Sequence, residues 1–162
     1  MSWSTPPVFT VGQVLTAAQQ NILSGDLNFL FSGNTLAYTE FTSNVSITAT
    51  TEGTANTIVT AGAVTFDGAT ACMVEFFCAQ LLSGTTTISL YLYDGAASIG
   101  QIGGQDTAST GAPIRASRKL TPSAAAHTYS IRGGVNAGTG TATAGAGGVG
   151  AFMPGYIHVH GA

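Results

Sequence analysis

One segment near the N-terminus carries apolar residues at helical spacing: Ile22, Leu23, Leu27, Leu30 and Phe31. It follows the run Thr16-Ala17-Ala18-Gln19, which matches a capping box. In that motif the Thr16 and Gln19 side chains each bond the other residue's backbone amide. The following Ser32-Gly33 supplies a stop signal. The pattern therefore predicts one helix from Ala17 to Phe31.

From about Glu40 onward the pattern changes to short alternating or β-branched runs. The runs predicted as strands are residues 44–50, 56–60, 63–66, 72–80, 86–93, 97–102, 113–120, 127–135, 138–144 and 151–160. Turn signals such as Asp67-Gly68 and Asp94-Gly95 separate them, and the polar residues 103–112 are predicted as a loop. Many short strands with regular turns indicate an all-β sandwich or barrel. We predict an arm plus helix over residues 1–38 and, over residues 39–162, a jelly-roll β-sandwich of about eight strands in two four-stranded sheets.

The two cysteines fall in one predicted strand. Six residues of strand span about 20 Å, which is too far for a disulfide between Cys72 and Cys78. Their even spacing places them on the same face as Val74 and Phe76. We expect buried free thiols, as suits a protein made in a reducing cytoplasm.

Several aromatic residues are candidates for a subunit contact. Tyr91 and Tyr93 alternate with the apolar Leu90 and Leu92, so they point away from the core face of their strand. Aromatic side chains are enriched in interface cores. The residues that could supply such area are Phe77, Tyr91, Tyr93 and Tyr129. The alternative, that they pack under a loop or under the N-terminal arm, stays open at this stage.

Charged residues are few and segregated along the chain. They make up 7% of it, against roughly 25% in an average domain. All seven acids lie between Asp26 and Asp106, and all four bases lie between Arg115 and Arg132. A surface of Thr, Ser, Gly and Ala suits a protein packed against its own copies or a larger assembly, and it points away from a soluble enzyme. The bases either pair with acids of a neighbouring subunit or form a solvated edge.

The same composition argues against two classes of partner. A net charge of −3 with four scattered bases does not provide the clustered basic footprint of a nucleic-acid-binding protein. No stretch of about 18 apolar residues occurs, so no membrane-spanning helix is expected. The N-terminus has no basic and apolar regions of a secretory signal.

Three motifs in the sequence could belong to a binding or catalytic site. Residues 145–150 match the dinucleotide glycine pattern, but they precede a short strand and no acid follows, so a small-residue loop is expected. His158 and His160 share a strand face, yet two ligands fall short of the three or four that a metal site needs. His127 could join scattered Ser and Asp residues, but no nucleophile elbow is present. We expect no catalytic residue, no cofactor and no bound metal.

The N-terminal run over residues 3–21, with its Pro-containing arm and Leu-Thr-Ala-Ala-Gln helix start, resembles the opening of small virion structural proteins of tailed bacteriophages. The later segments 65–68, 92–95, 120–122 and 127–131 are similar to the jelly-roll part of such proteins, which is TNF- or C1q-like. The resemblance implies a non-enzymatic structural protein, made in the host cytoplasm and located on the virion surface. The first expectation is a trimeric capsid decoration protein. The alternatives are a minor tail or tail-tip protein that binds host surface glycans through loops such as 103–112, and a glycan depolymerase.

The expected partners are two further copies of the chain and other virion proteins, either the major capsid protein or a tail protein. Virion attachment is assigned to the apolar, Pro-stiffened arm: Trp3, Pro6, Pro7, Val8, Phe9, Val11, Val14 and Leu15. The helix is expected to dock through Ile22, Leu23, Leu27 and Leu30 on the sandwich base, on sister helices or on a neighbouring virion subunit. The competing interpretation is that the arm folds back on its own jelly roll.

Overall fold

The computed structural model describes residues 8, 12, 14–31, 34–84, 86–106 and 111–162, without the side chains of residues 26 and 28–31. The chain is an all-β jelly roll with one α-helix, as predicted. The helix is α1 (Ala17–Phe31), and a short 3₁₀ turn covers Glu52–Thr54. The strands are β1 (Thr35–Phe41), β2 (Val45–Ile47), β3 (Asn56–Thr60), β4 (Val64–Thr65), β5 (Cys72–Leu82), β6 (Ile88–Asp94), β7 (Ala97–Gln105), β8 (Ala112–Leu120), β9 (Ala126–His127), β10 (Tyr129–Val135), β11 (Gly140–Thr143) and β12 (Gly155–Gly161).

Two antiparallel sheets form the sandwich. The larger sheet runs β1-β12-β5-β11-β2, and β8 pairs with β5 on its other side. The smaller sheet runs β3-β10-β6-β7, and β4 pairs with β9 apart from both. The larger sheet exceeds the predicted four strands because β11 pairs with the end of β5 and carries β2 on its far side.

The core lies between the two sheets and is built from alternating inward side chains. On β5, Cys72, Val74, Phe76 and Cys78 are completely buried, and Ile88, Leu90 and Leu92 of β6 face them. Ile157 and Val159 of β12 complete this layer. Both cysteines are free thiols, as predicted. The period-two pattern of the sequence therefore identified the core faces of these strands correctly.

The helix begins at the predicted capping box. The Thr16 amide donates to Gln19 Oε1 at 3.0 Å, and the Gln19 amide donates to Thr16 Oγ1 at 3.3 Å. Among the described residues, none from α1 belongs to the buried core. β1 begins at Thr35, ahead of the predicted boundary at residue 39, because Thr35 and Tyr38 already pair with β12.

Three sequence predictions need correction. Residues 103–105 continue β7 rather than opening a loop, and β8 already begins at Ala112.

Two of the predicted contact tyrosines are buried. Tyr129 is 2% exposed because it packs in the core, where its ring meets Phe66 edge-on and stacks on His127. Tyr93 is 3% exposed because Arg132 covers its ring at 4.0 Å and its hydroxyl donates to the Glu52 carbonyl at 2.6 Å. Neither tyrosine offers surface for a subunit contact.

The larger sheet has two distinct ends. At one end Thr35 lies beside His160, and Cys72 lies beside Gly161 and Leu120. This end receives the chain from α1. At the opposite end Phe41 lies beside Gly155, and the glycine-rich loop over residues 144–154 joins β11 to β12 there. The N-terminal segment and the glycine-rich loop are thus at opposite ends of the sheet.

Candidate interaction surfaces

The described apolar residues of the N-terminal segment are largely uncovered. Val8 is 86% exposed, Val14 is 84% exposed, and Leu15 and Leu27 are each about half exposed. Ile22 and Leu23 are half-buried. Of the other predicted attachment and docking residues, Trp3, Pro6, Pro7, Phe9, Val11 and the side chain of Leu30 lie outside the described part of the chain. The fold therefore leaves four described apolar residues of this segment at least half exposed: Val8, Val14, Leu15 and Leu27.

A cluster of rings occupies the outer face of the larger sheet; we call it the aromatic face, and it consists of Tyr38, Phe77, Tyr156 and His158. Its central ring is Tyr156, with centroids 5.3 Å from Tyr38 and 5.6 Å from Phe77. Tyr38 also meets His158 edge-on at 5.6 Å. Tyr38 is 48% exposed. The strands β1, β12 and β5 therefore present adjacent, partly exposed aromatic rings on one face of the larger sheet.

The tyrosine at the edge of this face stays protonated over a wide pH range. The Tyr38 hydroxyl donates to Glu40 Oε1 at 2.9 Å. Partial burial and the Glu40 carboxylate raise the pKa of Tyr38 to about 12. The ring is thus a neutral surface for contact at physiological pH.

Sequence reasoning found only Phe77 of the aromatic face by pattern. Tyr156 alternates with the buried Ile157 and Val159, and this signal could have identified it. Tyr38 was assigned to the arm rather than to a strand. Tyr91, the remaining predicted contact residue, lies on the smaller sheet instead, where it lines a shallow groove.

Charged and imidazole side chains lie next to the aromatic face. His158 and His160 of β12 share a face, as predicted, with ring centroids 4.7 Å apart. Glu75 of β5 lies opposite His158 in register. Arg115 donates to both Glu75 carboxylate oxygens at 3.2 Å, so this base pairs within its own chain. Burial lowers the pKa of His158, and the neighbouring His160 lowers it further.

A Ser-His-Asp arrangement occurs at the loop after β8, but its hydrogen bonding does not suit catalysis. His127 Nδ1 lies 2.5 Å from Asp94 Oδ2, and Nε2 lies 3.2 Å from Ser123 Oγ. Nε2 also lies 3.1 Å from the Ser123 carbonyl oxygen, which can only accept a hydrogen bond. The bond to Asp94 raises the pKa of His127. Nε2 is thus shared between the hydroxyl and the carbonyl oxygen of Ser123, and the ring ties the loop to the sheet through Asp94 rather than serving the Ser123 hydroxyl alone.

A polar groove lies on the outer face of the smaller sheet. Its volume is about 180 Å³, and it is lined by Thr50, Thr87, Ser89, Tyr91, Gly134, Val135 and Asn136. Asn136 Oδ1 accepts hydrogen bonds from the Thr86 hydroxyl at 2.5 Å and the Thr87 amide at 2.9 Å. These bonds fix the groove wall.

Residues 145–150 lie in a loop of mostly small residues, as predicted, and this loop continues to residue 154 because β12 begins at Gly155 rather than at the predicted residue 151. The Gly147 amide donates to the Phe152 carbonyl at 2.9 Å. The loop runs from strand to strand, so it lacks the helix N-terminus that a pyrophosphate site needs. Val149, Phe152 and Met153 are exposed on it.

Comparisons with known proteins identify no relative of this chain. No protein-family model matches the chain, and no curated protein matches its sequence. The helix in the described part of the chain lacks the length and apolar character of a membrane span.

Proposed function

We propose that this protein is a non-enzymatic structural protein of a tailed-bacteriophage virion, made in the host cytoplasm and carried as a trimeric decoration protein on the capsid surface. One observation carries the proposal: a compact jelly roll leaves the apolar side chains of its N-terminal segment uncovered. Val8 and Val14 are more than four-fifths exposed. An assembly partner that buries such side chains gains about 1.5–3 kcal/mol for each large one fully covered.

The proposed trimer forms through the aromatic face. Partly exposed aromatic rings on one sheet face are the kind of area that protein interfaces bury, because aromatic residues are enriched there. Tyr156 lies at the centre, with Phe77 and Tyr38 on either side. The low overall charge of the chain, 7% of residues, also favours burial of its surface in an assembly.

The location is tested by imaging intact virions with the chain labelled. A binding tag at the C-terminus, detected by gold-conjugated antibody, is expected to decorate the head of the particle in a regular pattern. Label confined to the tail tip would replace the decoration proposal with the tail alternative. The absence of label from purified virions, with the tagged chain present in the infected cell, would contradict both.

The second candidate is a minor tail or tail-tip protein that binds host surface glycans. The groove beside Tyr91 is the observation that favours it, because sugars stack on aromatic rings and bond to hydroxyl and amide groups. A groove of about 180 Å³ is smaller than the roughly 300–1,000 Å³ of drug-sized ligand sites, so it would hold one sugar unit. A glycan array probed with the full chain and with Tyr91→Ala tests this. Specific binding lost in the variant supports the adhesin, and no binding leaves decoration as the proposal.

A further inference from the structure

We propose that Glu75, His158 and His160 form a binding site for one divalent transition-metal ion. Their ligand atoms all lie within 4.8 Å of one another on the outer face of the larger sheet. The sequence argued against a metal here because two histidines alone are too few ligands. The fold supplies the third ligand from β5, where Glu75 is the direct cross-strand neighbour of His158. This inference does not rest on the proposed virion role.

The backbone fixes the positions of the three side chains. His158 and His160 are two residues apart on β12, so both project from the same face. Glu75 projects beside them from the paired strand, and its Oε2 lies 4.0 Å from His160 Nε2. Zinc ligands lie about 2.0–2.2 Å from the ion, so two of them are about 3.4 Å apart in a tetrahedral site. Small side-chain rotations bring the group from its present spacing to that separation.

Each of the two imidazole rings is oriented by a hydrogen bond. His160 Nδ1 donates to the Gly161 carbonyl at 2.7 Å, which leaves the Nε2 lone pair facing Glu75. Such a bond from the non-ligating nitrogen is the usual partner of a metal-bound histidine. His158 Nε2 lies 3.0 Å from Thr35 Oγ1, which holds its ring in place.

The donor set indicates the class of ion. Two imidazole nitrogens and one carboxylate suit Zn²⁺, Co²⁺ or Ni²⁺, whereas Ca²⁺ and Mg²⁺ prefer oxygen ligands. Three protein ligands leave at least one position for water or for a group from another molecule. Arg115 competes with the ion for the Glu75 carboxylate, but its side chain is 66% exposed and can move into solvent.

The test uses the full chain without a histidine tag, stripped of metal with a chelator. Co²⁺ is titrated and followed by its visible absorption, and Zn²⁺ is titrated by calorimetry. We expect one ion per chain. His158→Gln and Glu75→Gln should each weaken binding by at least about tenfold, and His127→Gln and Glu40→Gln, which lie outside the site, should bind as the unmodified chain does. Circular dichroism verifies that each variant is folded.

A gain-of-affinity variant keeps the proposal testable if a ligand variant fails to fold. Arg115→Ala removes the cation that competes for Glu75 and should tighten Co²⁺ binding several-fold. Three results would overturn the site: no saturation at one equivalent, binding that His158→Gln and Glu75→Gln leave unchanged, or binding that is weakened in Arg115→Ala. Metal binding is measured on the purified protein and attachment on virions, so a failure of one result is distinguishable from a failure of the other.

Discussion

At the scale of single residues, the polar and reactive groups inside this jelly roll serve packing. Cys72 and Cys78 are fully buried, and Cys78 lies among backbone carbonyls of Gln80 and Thr143. Burial raises the pKa of both thiols. A buried thiol with a raised pKa forms little of the reactive thiolate. These two residues therefore act as small apolar side chains.

The first prediction follows from that burial. Replacing both Cys72 and Cys78 with Ala should lower the free energy of unfolding by about 1–3 kcal/mol, because it removes buried atoms from a packed core. The assembly state should not change. In the unmodified native protein, a thiol reagent should label neither cysteine until urea unfolds the chain. Rapid labelling of the native state, or a Cys72–Cys78 bridge in the non-reduced protein, would contradict this account.

The second prediction concerns the Asp94–His127 pair. The pKa of His127 is raised in the folded state by its bond to Asp94, so the pair stabilises the fold fully below the ordinary histidine pKa of about 6.5. That contribution is lost as the pH rises through the folded-state pKa. His127→Gln should therefore destabilise the protein more at about pH 5.5 than at about pH 8.5.

Urea denaturation of both proteins at the two pH values measures the effect. His158 has a lowered pKa and the opposite pH dependence, but it is present in both proteins and cancels in the difference. An equal loss of stability at both pH values would show that the charged form of His127 contributes nothing.

At the scale of elements, glycines allow the strands to pack closely. Gly104 of β7 lies against β6, where a Cβ atom added to it would meet the Ile88 carbonyl oxygen at 2.5 Å. That oxygen belongs to the backbone and cannot move without shifting the strand. The polar character of residues 103–112 predicted a loop, and it gave no sign that Gly103 and Gly104 pair closely with β6.

The third prediction tests this close approach. Gly104→Ala should destabilise the fold by about 1–3 kcal/mol, the usual cost of overpacking. Gly62→Ala is the matched control, because an added Cβ there meets nothing within 4 Å, and its effect should stay within about 0.5 kcal/mol. Urea unfolding measures both. Equal effects of the two substitutions would mean that Gly104 is not required by the packing.

The contrast between local and non-local structure explains what the sequence could predict. The helix and its capping box depend on neighbouring residues, so their positions followed from spacing alone. The inward faces of β5 and β6 followed from alternation for the same reason. The pairing of Glu75 with His158 joins strands far apart in the chain, and register between such strands is set by packing of the whole sandwich. The third member of the metal-ligating cluster was therefore beyond sequence reasoning.

The burial of Tyr93 also depends on distant parts of the chain. It points away from the core face of β6, as its alternation predicted, yet Arg132 of β10 and the Glu52 carbonyl cover it. Alternation identifies the side of a strand but not what covers that side. Of the alternatives open for this residue, packing under a loop is the one found.

At the scale of the whole molecule, the two ends of the larger sheet carry different parts of the chain. The N-terminal segment enters at one end of the larger sheet, and the loop carrying Val149, Phe152 and Met153 is at the other. Under the proposed function, attachment through the N-terminal segment would direct that loop away from the particle. The aromatic face lies on the outer face of the larger sheet between these two ends, and copies of the chain would meet there under the proposed function.

The fourth prediction is the assembly state. Light scattering at micromolar concentration should give about three times the 16.3 kDa chain mass. Tyr156→Lys places a charge at the centre of the aromatic face and should yield a folded monomer, since an unpaired charge is costly to bury. Thr60→Lys, at an exposed site on the smaller sheet, is the control and should remain trimeric. A stable monomer of the unmodified chain would contradict the trimer.

The central claim is that the N-terminal segment attaches a self-sufficient jelly roll to the virion, and deletion of residues 1–15 tests it most directly. Val8, Val14 and Leu15, the described apolar residues of this stretch, are exposed, and the sheets begin only at Thr35. The truncated protein should therefore keep its strand content and its assembly mass. It should no longer bind virions that lack their own copy of the protein, while the full chain binds them. If the truncated protein decorates such virions as well as the full chain does, the attachment surface lies in the jelly roll and the account is wrong.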